Sequence, residues 1–525
     1  MTDGMSLKML QDEGVARIHE KTLEVLSKTG IHIHDCPEAA EIFRKGGCTV
    51  DNGRVLIPRK VVEDCIRALP DRETLRICNN VMGFGEPAGL GKGVVHPGLI
   101  GNSYYRYDHV SGRKDLVEAD LHDKDLILDH LENFRFDCNT MLTARLRQNQ
   151  PGDPYATTED CSAFLRTRLR NRTGTTKRRM PLHLIINRGT EDRPRIMAVD
   201  RLHPLERMEV LRHMVVHGPR ATEALMADDT PMIWCNPVSP MQLHPIQLLE
   251  IMEGIRAYGS RCFVMFSPEV MSGATGPVTL AGTLIQHNAE VVSGMVFTQL
   301  CRPGTAVIYG SVTGVMDMRI ADISLGSFES QAIGAALVQL ADFYGMPNRI
   351  QIGNSSSVRT GPRSAIEATL GIQMGIAAGV NLMTTGLLDS SLMMSYEHLV
   401  VMDELFNQFG SIARIDLGDL DLDAAVVMEE GHPSPGYLTS DHTLEYMKRS
   451  VYSSEYTGRI ESSYTDYYDL AHAKVQRILE RRNPDVAVDR LVDEKSAAVL
   501  ARLEEGGEAW RKDGDWWRTY VRDLE

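Results

Sequence analysis

An α/β fold built on a parallel sheet is what this 525-residue chain predicts, and three observations carry the prediction. β-rich strings recur at Leu182 to Asn187, Met232 to Cys235, Cys262 to Phe266, Ala306 to Tyr309, Arg349 to Ile352 and Val380 to Thr384. Helical patterns fill intervals between them, at Met241 to Tyr258, Val278 to Leu300, Phe328 to Tyr344 and Pro362 to Ala378, which is the βαβ rhythm. Several strings end in polar or Gly-rich loops: Asn236 to Pro240, Ser272 to Pro277, Gly310 to Gly314 and Gly353 to Ser357. Such loops gather at the C-terminal face of a barrel. No Gly-x-Gly-x-x-Gly follows an early strand, so a (β/α)8 barrel is preferred to a doubly wound dinucleotide sheet.

The elements follow in order. Amphipathic helices over Leu7 to Lys28 and Arg59 to Leu69 flank a turn-rich segment whose Asp51-Asn52-Gly53 reads as a hairpin turn. This predicts a helical N-terminal cap and lead-in over residues 1–130, the barrel over 131–460, and C-terminal helices with an aromatic tail over 461–525. Two runs are nearly free of charge: Val270 to Cys301 holds only Glu290, and the interval between Glu367 and Asp389 holds none. Glycines and polar residues interrupt both, so each reads as buried helix plus strand and not as a membrane span.

Composition narrows the function classes. Acids outnumber bases 71 to 56, a net charge of −15, which disfavours nucleic-acid binding. Nine cysteines without a Cys-x-x-Cys pair predict reduced thiols, and the N-terminus has no apolar signal segment, so a cytoplasmic protein is expected. His32-x-His34-x-Cys36 has metal-like spacing but no nearby fourth ligand, and reads as a strand of the cap. The basic run Arg166 to Arg179 is a solvated face or a docking site for an acidic partner or a phosphate group.

Glu290 is the most informative carboxylate, because a charge isolated in an apolar run is either paired in a site or an awkward core residue. Asp317 and Arg319 either orient a substrate or form a local ion pair. Tyr104, Tyr105 and Tyr107 cluster, and Tyr396 with Glu397 follows a predicted strand. Aromatic faces beside a carboxylate suit a methylated ammonium, which has no hydrogen-bond donor; core packing is the other reading of the same residues.

The residues also resemble a known family. Ile18-His19-Glu20, Leu23 to Leu26, Gly46-Gly47-Cys48, Gly273 to Gly282, Asn288-Ala289-Glu290, Pro303-Gly304, Met316 to Arg319, Gly353-Asn354-Ser355 and Asp441-His442-Thr443 are similar to signature strings of the trimethylamine methyltransferase family. The resemblance covers roughly residues 5 to 480. It implies a (β/α)8 barrel that moves a methyl group from a methylated amine to the cobalt of a separate corrinoid protein. Founding members carry pyrrolysine in the Gly-x-Ser loop, where this chain has Asn354. Members without pyrrolysine look like enzymes for quaternary amines such as glycine betaine. On this reading Glu290 and Asn354 are the catalytic candidates. Tyr104, Tyr105, Tyr107, Asp317, Arg319, Arg359, Tyr396, Glu397 and His442 are the substrate-binding candidates, with Arg319 or Arg359 pairing a substrate carboxylate. No metal is expected on the chain, and no Asp-x-His-x-x-Gly string is present, so the corrinoid is expected from a partner protein. A homo-oligomer is compatible with the acidic surface and aromatic tail. Alternatives are a demethylase of trimethylamine or another methylated compound, a betaine binder without transfer activity, and a metal-dependent barrel hydrolase. The last is disfavoured because no strand string ends in His-x-His.

Overall fold

A computed structural model describes residues 7–33, 36–77, 88–141, 186–190, 193–197, 232–412, 420–432, 436–450, 454, 456 and 465–480. Its main helices are α1 (Asp12–Lys28), α2 (Pro37–Lys45), α3 (Arg59–Arg67), α4 (Glu118–His130), α5 (Pro245–Tyr258), α6 (Leu280–Cys301), α7 (Phe328–Tyr344), α8 (Pro362–Ala378), α9 (Tyr396–Ile412), α10 (Leu420–Glu430), α11 (Asp441–Ser450) and α12 (Tyr467–Leu479). Local chemistry sets their ends. The Ser327 hydroxyl accepts the Ser330 N–H to start α7, and Gly345, left-handed at φ 69°, ends it. Pro362 opens α8 and Gly379, at φ 82°, closes it.

Seven strands form the central sheet: β1 (His96–Ser103), β2 (Phe136–Met141), β3 (Met232–Cys235), β4 (Phe263–Phe266), β5 (Ala306–Ser311), β6 (Asn348–Gln351) and β7 (Leu382–Thr384). Their spatial order is β3-β4-β5-β6-β7-β1-β2, with every neighbouring pair parallel. The last strand in the chain therefore lies beside the first, which is the cyclic order of a barrel; the described residues show no pairing of β2 with β3. β1 comes from within the 1–130 segment expected to lead into the barrel. Of the expected strand at Leu182 to Asn187, residues 186–187 belong to a separate two-stranded hairpin, Ile186–Thr190 with Arg193–Met197. The rest of that string lies outside the described residues, as do the basic run Arg166 to Arg179, His34 and the aromatic tail.

Alternation along the strands sorts the two faces. Val264 and Phe266 of β4 and Val307 and Tyr309 of β5 pack toward the helices. Met232, Phe263, Met265, Ala306, Ile308, Leu382, Ile100 and Phe136 form a second cluster on the opposite, inner face, joined there by Ile77, Ala88 and Leu90. Met265, Ile308 and Leu382 are fully buried. Each such side chain contributes about 1.5–3 kcal/mol relative to exposure, so the inner face is a packed apolar floor and not a pore.

The cap is a four-stranded sheet in the order Gln242–Leu243, Ile31–Ile33, Arg54–Leu56, Thr49–Asp51. Its hairpin turns at Asn52 (φ 46°) and Gly53 (φ 77°), as the Asp-Asn-Gly string predicts. The cap is bolted to the crossover helices. The Asn288 amide donates to Thr22 Oγ1 and the Tyr344 hydroxyl at 2.8 Å, and Gln339 accepts the N–H groups of Met9 and Leu10 at 2.7 and 2.9 Å. The two uncharged runs form α6 with its leading loop, and α8 with β7. No helix among the described residues is long and apolar enough to cross a membrane.

One close approach seats the loop after β6. A Cβ on Gly371 of α8 would lie 2.3 Å from Gly353 Cα, so backbone meets backbone with no side chain able to move aside. Gly371→Ala should therefore destabilise the protein by about 1–3 kcal/mol, seen as a lower midpoint in thermal or urea unfolding; an unchanged midpoint would contradict this packing.

Candidate functional site

The inner face changes character at the C-terminal ends of its strands. Pleat alternation places Trp234 and Asn236 of β3 and its following loop, Ser267 after β4, Gly310 of β5, Arg349 and Gln351 of β6, and Thr384 of β7 above the apolar floor. Registers tie them together, Gly310 opposite Arg349 and Gln351 opposite Thr384. Among the described residues, the hydroxyls of Ser267 and Thr384, both fully buried, find no hydrogen-bond partner, and neither do Trp234 Nε1 and Asn236 Oδ1. Gly310 is required beside Ser267, since a Cβ there would come within 2.0 Å of the Ser267 hydroxyl oxygen. Arg349 is 1% exposed, donates to the Ser311 carbonyl at 3.1 Å and lies over the Trp234 ring at 5.3 Å. At these strand ends the described inner-face side chains are hydroxyls, amides, an indole and a guanidinium, with no carboxylate or imidazole.

Two loops zip together over this edge. Asn354, 1% exposed, accepts the Leu387 N–H on Oδ1 at 2.9 Å, which turns its amide nitrogen onto Ser391 Oγ at 2.8 Å. Gln351 Nε2 donates to the same hydroxyl oxygen. Ser391 ends a run of three left-handed residues, Asp389 (φ 51°), Ser390 (φ 47°) and Ser391 (φ 83°). Such conformations cost a non-glycine residue about 1 kcal/mol or more each, and they persist where the surroundings over-determine them. Here Asp389 N donates to the Ser357 carbonyl, Ser390 N to that of Ser355, and the Ser390 hydroxyl to that of Ile323. Downstream, Met393–Met394 pairs with the strand Tyr105–Asp108, and Tyr104 N donates to the Leu392 carbonyl at 2.8 Å.

The structure disperses most of the charged residues singled out from the sequence. Glu290, in α6, is fully buried, and its carboxylate accepts from the Ser239 hydroxyl at 2.7 Å, Met241 N at 2.9 Å and Gln286 Nε2 at 3.0 Å. It therefore clamps the loop after β3 that continues into the cap sheet. Burial pushes its pKa up, against the pull of those three donors. Asp317 and Arg319 pair with each other on an exposed hairpin (Arg319 Nε to Asp317 Oδ1, 2.9 Å), and that bond holds the Asp317 carboxyl down at about 2. Arg359 is exposed on the loop after β6. His442 stacks on Tyr446 at 4.6 Å, with Nε2 3.4 Å from Asp423.

Among the aromatics, Tyr105 has its ring face under the Arg113 guanidinium at 3.5 Å, and Tyr107, half-buried, lies opposite Arg113 in the same hairpin. Tyr396 is buried beneath Arg106 and donates its hydroxyl to the Asp120 carbonyl at 3.0 Å. Glu397 is buried with His472 Nδ1 at 2.8 Å and the Ser395 hydroxyl at 2.9 Å. Asp108, Glu397 and His472 bring ligand-type atoms within 4.8 Å of one another. Ser111 occupies one Asp108 oxygen and Arg106 approaches the other, so the group reads as an ion-pair network. Asn354 alone among the expected residues meets the inner-face ring directly. Trp234, Ser267, Arg349, Gln351, Thr384 and Ser391 were not singled out as site residues from the sequence, although the strand strings and the loops that end them were in view.

A family model for trimethylamine methyltransferase matches residues 2–81 and 198–506. The chain is 28% identical over 513 residues to the glycine betaine methyltransferase of Desulfitobacterium hafniense (strain Y51), covering 95% of this chain and 98% of that protein. It is 29% identical over 414 residues to the trimethylamine methyltransferase of Methanosarcina barkeri (strain Fusaro / DSM 804), covering 77% of this chain and 76% of that one. The crystal structure of the Methanosarcina barkeri monomethylamine methyltransferase aligns with 91% of this chain and 96% of its own, at a TM-score of 0.43 and 12% identity. With its family model spanning more than half of the sequence, the chain belongs to the trimethylamine methyltransferase family.

Proposed function

We propose that this protein is a methyltransferase that takes a methyl group from a quaternary amine of betaine type and delivers it to the cobalt of a separate corrinoid protein, using the mouth of a complete (β/α)8 barrel. The observation that carries the reading is the chemistry of the inner-face ring, where no described side chain at the strand ends can protonate a leaving group. A tertiary or secondary amine substrate must be methyl-transferred from its protonated form or receive a proton on leaving. A quaternary nitrogen needs neither. Transfer makes the cobalt–carbon bond and breaks the carbon–nitrogen bond, whose electron pair stays on nitrogen as a neutral tertiary amine. The protein's share is to hold the donor methyl in line with the acceptor and to exclude water.

The surroundings support a protein acceptor. Val278, Met318, Ile320 and Val358, on loops that follow β4, β5 and β6, are 57–71% exposed. Grouped apolar side chains on the loops around one mouth mark an interaction surface, and a corrinoid protein seated there brings its cobalt toward the ring. Asn354 contributes by orienting the loop after β7, and Glu290 by holding the loop after β3.

Incubated anaerobically with cob(I)alamin, or with a cognate corrinoid protein, the enzyme should form methylcobalamin from glycine betaine and not from trimethylamine. Transfer from trimethylamine at an equal or higher rate would contradict the quaternary-amine reading. Glu290→Ala leaves three donors without their acceptor and should lower stability by about 2 kcal/mol or more, while Glu290→Gln retains a turnover rate within about threefold of wild type. A Glu290→Gln variant with an unchanged melting point and a hundredfold lower rate would place Glu290 on the substrate instead.

A further inference from the structure

We infer that Trp234 is the aromatic face that receives the ammonium head of the substrate; this rests on the quaternary-amine reading above and names what holds the cation. A quaternary nitrogen has no N–H to give, so hydroxyls and amides cannot hold it by hydrogen bonds, and a carboxylate or the π face of an aromatic ring must attract it instead. No described inner-face side chain at the strand ends is a carboxylate. Trp234 is the one aromatic that the described inner face carries to those ends, because Phe263 and Phe136 lie lower, in the apolar floor, at 5% and 3% exposure. Glycine betaine brings its own counter-charge, so a π face serves its head without a carboxylate from the protein.

The tyrosines singled out from the sequence are engaged elsewhere. Tyr105 has its face under Arg113 at 3.5 Å, Tyr396 is buried beneath Arg106, and Tyr104 packs against the main core. Tyr107 belongs to the hairpin of Tyr105, outside the central sheet. Trp234 is placed differently. It packs on the edge of the apolar floor and is half-buried, yet its Nε1 is fully buried, so the ring and not the N–H is what a ligand in the mouth meets. The Arg349 guanidinium, 5.3 Å from the ring centroid, shows that this face takes a cation. Indole is the strongest cation binder among the aromatic side chains, and its attraction grows as water leaves.

Calorimetric titration of the full chain with two isosteric probes tests this: glycine betaine, and 3,3-dimethylbutanoate, in which carbon replaces the charged nitrogen and the shape is kept. The wild-type protein should prefer glycine betaine by about tenfold or more. Trp234→Leu should weaken glycine betaine binding by about 10- to 30-fold and change 3,3-dimethylbutanoate little, so that the preference disappears. Trp234→Phe keeps an aromatic face of lower strength and should lose only part of the preference, with an unaltered melting temperature. A ring that only fills space would cost both probes equally. Such a parallel loss, a folded variant that keeps the wild-type preference, or a wild-type protein that binds both probes alike overturns the assignment of Trp234 alone. A wild-type protein that does not bind glycine betaine overturns the substrate class and this subsite with it.

Discussion

Leaving a buried hydroxyl without a partner costs about 1–3 kcal/mol, and among the described residues neither Ser267 nor Thr384 has one. The inner face is apolar at Met265 and Leu382 and polar one step further along, at Ser267 and Thr384. A fold selected for stability alone would finish those positions with Val or Ala. The polar ring marks the edge where the protein meets something other than itself.

Precision at that edge comes from loops that support one another. The loop after β6 is seated on α8 through Gly353 and Gly371, and it holds the loop after β7 through Asn354, Ser355 and Ser357. The loop after β3 is held by Glu290 from α6 and leads into the cap sheet through Gln242–Leu243. The cap is thus part of what shapes the mouth. Alignment of reacting groups depends on this kind of mutual bracing.

Much of the fold was legible in the sequence. Phe328–Tyr344 and Pro362–Ala378 were bounded correctly because Ser327, Gly345, Pro362 and Gly379 are strong end signals, and the buried strands announced themselves as short apolar runs. β1 was missed because His96-Pro97-Gly98-Leu99-Ile100-Gly101-Asn102-Ser103 carries Pro and Gly where a strand pattern would be sought. The site was harder. Isolated charges draw the eye, yet Glu290, Asp317 and Arg319 find local partners. The ring is built from Ser, Thr, Asn, Gln and Trp, whose importance comes from which face of a strand they occupy, and that becomes visible only when the strands are paired. Asn354 was found through family resemblance; its link to Ser391 spans 37 residues and has no sequence signature.

The central claim is that this mouth aligns an already charged nitrogen and supplies no proton. The pH dependence of methyl transfer from glycine betaine to free cob(I)alamin, measured in single turnover with saturating donor, tests it most directly. A rate that stays flat between about pH 6 and pH 9, where an acid capable of serving the reaction would titrate, is the predicted result. A rate that falls about tenfold per pH unit anywhere in that interval would show a protonated group taking part in the transfer and would contradict the account.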